Sequence, residues 1–268
     1  MDPFFEDYGA DFHLIHLTHS GNLGVMHIHP HYEMFLLTDS FDATFCINGM
    51  EYPLNRPFLY VVSPFYLHRL DFKNSKSQIE RCVCYFGNAL SLSYPKLIAQ
   101  FMDSYKNSAA VIFFLNDDML QRCRELRSLF ASYPHNSEEQ KMLFFLLLRS
   151  VIYSDCERVT VGNTDVQIQQ IILYMNEHLS EKIDADSVAQ KFYISRSKMD
   201  KDFRKYTSDT FRHLLTEMRL CHAELLLRDH SLKFSDIAML SGFESETYFF
   251  STFKKHRGIT PLKYRKKL

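Results

Sequence analysis

The chain has 268 residues, 46% of them hydrophobic and 24% charged, with a formal net charge of −1. That balance excludes a disordered or low-complexity chain, and the longest purely apolar run, Met142 to Leu148, is far short of the roughly 20 residues that span a bilayer. Charge is uneven, with 18 Lys+Arg against 14 Asp+Glu from Asp165 to Leu268 and 13 against 18 before it, so two domains are expected and the second is the basic one.

The start, MDPFFEDYG, is acidic and lacks the basic-then-apolar order of a signal peptide. A cytoplasmic location without a membrane partner is expected, and there the six cysteines are reduced core residues. From about Phe12 to Phe86 short β-like pieces follow one another: FHLIHLTH, GVMHIH, EMFLLT, ATFCING, PFLYVVS and ERCVCYF. Their spacing predicts a small β-barrel over residues 1–95. Asn48-Gly49, between two apolar strands, is the strongest hairpin signal, because both residues accept the positive φ of a type I′ turn.

Strand alternation turns His27 and His29 inward together and His31 to the opposite side. With Glu33 they form His-x-His-x3-Glu, and Gly21 lies six residues ahead of His27. This resembles the first motif of the cupin fold, and SPFYLHR with His68 resembles the second. The resemblance implies a cupin-like barrel whose interior His27, His29, Glu33, Tyr60 and His68 line as an effector pocket. Histidines and a glutamate converging there could also hold iron, manganese or zinc, so a metal-dependent cupin enzyme fused to a DNA-binding domain is the alternative. Against it, Phe65 stands where the second motif has glycine and Phe72 where it has asparagine. The expectation is no catalytic residue, no metal and no cofactor.

Residues 96–157 read as helical. Met119, Leu120, Cys123, Leu126, Leu129 and Phe130 form an amphipathic stripe, and Ser137 with Gln140 resembles a capping box before a second helix, Met142 to Ile152. That helix is apolar nearly all round, so a partner subunit is its economical cover and a homodimer is expected. Residues 158–164 read as a linker, with Thr164 or Asp165 capping the next helix.

The rest, 165–268, holds a repeat. Setting Ser195 on Ser245 aligns Phe203 with Phe253, Arg204-Lys205 with Lys254-Lys255, and Thr210 with Thr260; with a one-residue gap, Val188-Ala189 aligns with Ile237-Ala238. In the second copy Ala238 lets helices approach, Gly242 supplies a positive φ, Ser245 caps a helix, Phe249 and Phe253 bury one face, Gly258 ends the helix, and Thr260-Pro261 starts another. The first copy lacks both glycines. Helix-turn-helix units are predicted at about 184–206 and 234–257, joined by one helix carrying Phe211, Leu214, Leu215, Met218, Cys221 and Leu225 at helical spacing.

The string Ile237-Ala238, Gly242-Phe243, Ser245, Tyr248-Phe249, Phe253-Lys254-Lys255, Gly258, Thr260-Pro261 and Tyr264-Arg265 resembles the signature of the AraC family of bacterial transcription regulators. The resemblance covers roughly residues 165 to 268, linker helix included. It implies an α+β two-domain regulator: a cupin-like sensor barrel with a helical dimerisation segment, then an all-α domain with two helix-turn-helix units. The implied partners are double-stranded DNA, a small polar effector such as a sugar, a second copy of the chain and RNA polymerase, with activation as the usual outcome. Base edges are read by Ser197, Asp200 and Lys201 from the first unit and by Glu246, Thr247 and Ser251 from the second. Phosphates are met by Ser195, Arg196, Lys198, Arg204, Lys205, Ser245, Lys254, Lys255 and the Arg265-Lys266-Lys267 tail.

Overall fold

The computed structural model describes residues 12–19, 26–73, 79–87, 108–162 and 166–267 and divides the chain into two compact units, 1–166 and 167–268. The first unit contains strands β1 (Phe12–His19), β2 (Tyr32–Leu37), β3 (Ala43–Ile47), β4 (Met50–Leu54), β5 (Phe58–Val62), β6 (His68–Phe72), β7 (Ile79–Phe86), β8 (Ala110–Phe114) and β9 (Glu157–Val161). They form two antiparallel sheets, ordered β1-β7-β2-β5-β8-β9 and β4-β3-β6. The closed barrel expected from strand spacing is thus corrected to two open sheets among the described residues. Strand spacing reports that strands exist; which edges pair is decided by contacts distant in sequence.

The hairpin at Asn48-Gly49 forms as expected, with φ of 55° and 72° and Ile47 opposite Met50. The strand expected over 24–29 is reduced to a bridge, in which His27 and His68 exchange backbone hydrogen bonds of 3.0 and 3.1 Å. Pro30 follows and cannot donate to a ladder. Gly21 lies outside the described residues.

Two strands occupy stretches read as helix or linker. β8, AVIFF, lies between β5 and β9 and is nearly all buried, so it shows no alternation and is too short to declare its type. β9, ERVTV, covers most of the expected linker as an edge strand on β8. Helices α1 (Asp117–Phe130) and α2 (Glu138–Ile152) sit where the apolar stripes placed them, capped by Asn116 and Ser137. The Ser137 hydroxyl accepts from Gln140 N at 3.3 Å, but the Gln140 carbonyl reaches back to Asn136 N, at 2.7 Å, one residue beyond a regular capping box. Residues 96–107, Thr164 and Asp165 lie outside the described residues.

One core joins these helices to the larger sheet: Met119, Cys123, Phe130, Phe144, Leu147 and Leu148 pack with Leu14, Met34, Leu59, Cys84 and Val111. Burying each large side chain there contributes about 1.5–3 kcal/mol. All six cysteines are free, and burial pushes the Cys82 thiol up to about 12, so it stays protonated and inert. Met142 and Leu146 on α2, and Tyr153 at its C-cap, remain exposed. Among the described residues no helix is long and apolar enough to cross a membrane.

The second unit is helical: α3 (Gln167–Glu177), α4 (Ala185–Lys191), α5 (Arg196–Thr207), α6 (Phe211–Leu227), α7 (Phe234–Leu240), α8 (Glu246–Arg257) and α9 (Pro261–Arg265). The sequence repeat is also a backbone repeat. Ser195 and Ser245 accept from Lys198 N and Tyr248 N, both at 3.2 Å, and Thr210 and Thr260 cap α6 and α9 in the same way. The missing glycines of the first copy do not change its turns. Tyr193 (φ 55°) stands in for Gly242 (φ 77°) and Ser208 (φ 52°) for Gly258 (φ 74°). Ile194 N donates to Ala189 O as Phe243 N donates to Ala238 O, which places the one-residue gap after the turn. Holding a non-glycine residue in that left-handed region costs roughly 1–2 kcal/mol, which the surrounding turn bonds offset.

Only glycine fits at position 242. A Cβ there would lie 1.9 Å from the Leu179 carbonyl oxygen and 2.7 Å from Arg219 Nε. Arg219 itself donates to Leu179 O at 3.0 Å and Glu181 O at 2.8 Å, so α6 and the second turn close together on the end of α3. Linker helix α6 buries Phe211, Leu214, Leu215 and Met218, then Leu220, Ala223 and Leu227 against Ile237, Ala238, Phe249 and Phe253.

Candidate DNA interface and candidate effector site

Helices α5 and α8 each bury one face and expose the other. Met199, Phe203 and Thr207 are buried on α5; Phe249, Thr252 and Phe253 on α8. Ser197, Lys201, Glu246, Thr247 and Ser251, expected at base edges, are exposed, as are Arg204, Lys205, Lys254 and Lys255. The remaining expected contacts of the first helix-turn-helix copy are engaged within the protein. Arg196 Nε donates to both oxygens of Asp200, at 3.0 and 3.1 Å, and its Nη1 lies 3.3 Å from Asp186; Lys198 pairs with Asp202. Exposed pairs of this kind are worth about 0–1 kcal/mol, so Arg196 and Lys198 can exchange them for phosphate at small cost. Ser195 and Ser245 spend an acceptor on the helix cap, and each hydroxyl keeps a proton to donate.

Arg265 departs from its expected role. Its Nε donates to Leu227 O at 3.2 Å and its guanidinium lies 4.3 Å from the Phe234 ring centroid, so it fastens α9 rather than facing outward. Sequence reasoning also missed a buried network between α6 and α8. Arg257, two turns after Phe249 on the apolar face, donates to Glu217 at 2.8 Å and Glu224 at 2.6 Å. A charged residue at the i+8 position of an apolar stripe was the available signal.

In the first unit His27, His29, Glu33, Tyr60 and His68 converge as expected. The bridge sets His27 beside His68, alternation brings His29 to the same side, and Glu33 lies at the start of β2 diagonally across from Tyr60 on β5. Three imidazole Nε2 atoms surround one carboxylate oxygen, Glu33 Oε2, at 3.2 Å (His29), 3.5 Å (His68) and 3.8 Å (His27), while Tyr60 donates to Oε1 at 2.9 Å. His29, Glu33, Tyr60 and His68 are buried; His27 is partly open.

Burial alone would raise the Glu33 pKa, but the three histidines outweigh it and hold the carboxyl well below the usual range. Burial, reinforced by His27, drops His68 to about 4 and keeps it neutral. Burial and then the Glu33 charge push Tyr60 well above its ordinary value. The second ring nitrogens fix orientation: His29 Nδ1 lies 2.7 Å from His31 O and His68 Nδ1 2.9 Å from Tyr66 O. His29 Nε2 hydrogen-bonds Glu33 Oε2 at 3.2 Å, whereas neutral His68, with Nδ1–H given to Tyr66 O, turns an Nε2 lone pair toward the site, and that atom has no hydrogen-bond partner among the described residues. A lone pair facing a carboxylate calls for a proton donor or a cation between them. Donor atoms of His27, His29, Glu33 and His68 all lie within 4.8 Å of one another, which fits a divalent metal as well as the polar groups of a small ligand.

Phe65 in place of glycine does not, after all, remove the turn of the second motif. Phe65 adopts φ 63° and donates its N–H to His29 O at 2.9 Å, so the turn that a glycine would make is present. Phe72 is buried 6.2 Å from Phe41, edge to face, and puts an apolar ring where a polar side chain was expected.

Residues 188–267 match the family model described as "Helix-turn-helix domain". Over 101 residues the chain is 33% identical to the HTH-type transcriptional activator RhaR of Yersinia pseudotuberculosis, covering 38% of this chain and 35% of that protein. Over 107 residues it is 32% identical to YijO, an uncharacterized HTH-type transcriptional regulator of Escherichia coli, covering 40% and 38%. The chain thus spans little more than a third of the length of the curated relatives it matches. A transcriptional regulator from Chromobacterium violaceum, of the AraC-type DNA-binding domain-containing proteins, aligns with 38% of this chain and 90% of its own, at 27% identity and a TM-score of 0.36.

Proposed function

We infer that the chain, whose residues 167–268 form an AraC-type helix-turn-helix domain, is a sequence-specific DNA-binding transcription regulator that catalyses no reaction. The observation that carries this is the repeated unit: two capped helices, α5 and α8, each with a buried aromatic face and an exposed polar face, joined by one packed helix. Helices that enter one side of DNA do so one turn apart, so half-sites about 10 base pairs apart are expected. Ser197, Asp200, Lys201, Glu246, Thr247 and Ser251 read bases; Lys201 donates to guanine, and Asp200 or Glu246 accepts from cytosine. Ser195, Arg196, Lys198, Arg204, Lys205, Ser245, Lys254 and Lys255 meet phosphates.

His27, His29, Glu33, Tyr60 and His68 bind a small polar effector such as a sugar, whose hydroxyls can donate to Glu33 and to the Nε2 lone pair of His68. A homodimer would cover Met142 and Leu146 on α2 and Tyr153 at its C-cap. Effector binding in the cytoplasm then alters the pairing of DNA domains, and activation through RNA polymerase follows. A coupling of roughly 1–3 kcal/mol is enough to shift DNA affinity about 5- to 150-fold.

Selection of genomic fragments by the purified protein tests the reading. A bipartite motif supports it; retention without a motif that fades uniformly as salt rises opposes it. A second reading of the histidine cluster is favoured by its converging donor atoms and the unpartnered His68 Nε2: a divalent metal held by His27, His29, Glu33 and His68. Metal analysis of the wild type and His68→Ala separates the two.

A further inference from the structure

A second histidine cluster lies in the DNA-binding unit, apart from its reading residues. Glu217 is buried on linker helix α6, and Arg257, from the last turn of α8, donates to its Oε2 at 2.8 Å. That contact fixes the carboxylate and turns Oε1 toward two imidazoles. His256 Nδ1 hydrogen-bonds Oε1, and His213 Nε2 stands 4.0 Å from it. The two rings stack with centroids 5.7 Å apart and planes 30° apart.

The outer nitrogen of His213 is committed: Nδ1 lies 2.5 Å from Asp209 Oδ2. A ring that gives its Nδ1–H to a carboxylate presents an Nε2 lone pair on its other side, the arrangement by which a carboxylate orients a metal-binding histidine. Two nitrogen donors and one carboxylate oxygen then face one point, all within 4.8 Å of one another. Tetrahedral zinc, with bonds of about 2.0–2.2 Å, needs ligand atoms about 3.4 Å apart, so His213 has to close part of its present gap while His256 backs away from Oε1 and exchanges the Nδ1 proton it shares with that oxygen for the ion. Its side chain is 43% exposed, which gives an ion a route in and leaves the fourth position to water.

We propose that His213, Glu217 and His256 form a zinc site that clamps the last turn of the second reading helix to the linker helix. His213 and Glu217 lie one turn apart on α6, and His256 lies at the far end of α8 from Glu246, Thr247 and Ser251. The ion therefore fixes the helix without occupying its DNA face. The site is separate in sequence and unit from the cluster around Glu33, and it stands whether or not that cluster holds a metal.

The test uses the full chain, stripped of metal with chelator and titrated calorimetrically with zinc chloride, with hydrogen exchange of residues 246–257 followed in parallel. His213→Gln is the first variant, because an exposed helical position tolerates it, and His256→Gln the second. The wild type should bind one more equivalent of zinc than either variant. At free zinc 100 times Kd, exchange through opening of the α6–α8 joint should slow about 100-fold in the wild type and stay unchanged in the variants. Equal zinc stoichiometry and equal exchange in wild type and His213→Gln would overturn the proposal, as would protection confined to residues 27–68. In that case the cluster is an ion-pair network and nothing more.

Discussion

Replacing Gly242 by alanine should do more damage than its single added methyl suggests. The residue sits at φ 77°, where an L side chain costs roughly 1–2 kcal/mol. The new Cβ would also sit 1.9 Å from Leu179 O, so that carbonyl must move, and with it the 3.0 Å bond from Arg219 Nε. A hydrogen bond from a charged donor is worth about 1.5–3 kcal/mol, which brings the expected loss to about 2.5–5 kcal/mol. Gly258→Ala is the matched control: φ is 74°, but no heavy atom lies within 4 Å of the added Cβ, so only the backbone cost of about 1–2 kcal/mol remains. Urea unfolding followed by far-ultraviolet circular dichroism reads both. Equal losses for the two variants would refute the close-approach argument, since their backbone angles are nearly the same.

Tyr193 holds φ 55° with its side chain almost wholly exposed, so Tyr193→Gly should leave thermal stability unchanged or raise it by up to about 1 kcal/mol; a larger loss would mean that the ring packs on something. His68 is buried neutral with its pKa depressed to about 4, so the unfolded chain binds the extra proton first as pH falls. Stability of the first unit should be complete above about pH 6.5 and decline by about 3 kcal/mol toward pH 4, whereas His68→Gln should flatten that part of a pH–melting profile. Lys255→Ala should weaken binding to all DNA sequences alike and lower the salt slope by about 1, while Thr247→Ala should cost about 1–3 kcal/mol on the selected site and relax preference at one base pair. Competition binding across a range of salt concentrations distinguishes the two kinds of contact.

The helix-turn-helix half was legible because its information is local. Serine and threonine caps, a glycine turn and phenylalanines four apart each act within one turn of helix, and the repeat stated the caps and one of the phenylalanines twice. The cluster around Glu33 was legible for a similar reason, since His27, His29 and Glu33 lie on one short stretch and only His68 and Tyr60 come from elsewhere. What escaped depends on distant partners. β8 is buried between two strands, so its apolar run carries no period, and sheet closure is set by edges far apart in sequence. Phe65 and Tyr193 take backbone angles that glycine usually supplies, held there by hydrogen bonds of their turns, and no residue type announces that. Arg257 was visible as a charge on an apolar face, but its partners Glu217 and Glu224 lie more than thirty residues away.

The central claim is that α5 and α8 read one DNA site together. The direct measurement is the affinity of the full chain for its selected bipartite site and for the same site with five base pairs inserted between the half-sites. Half a helical turn moves one half-site to the opposite face of the DNA. Binding to the altered site should be no tighter than to either half-site alone, with the discrimination between specific and non-specific DNA largely lost. Unchanged affinity for the altered site would contradict the central claim, because then the two helices do not act as one rigid pair.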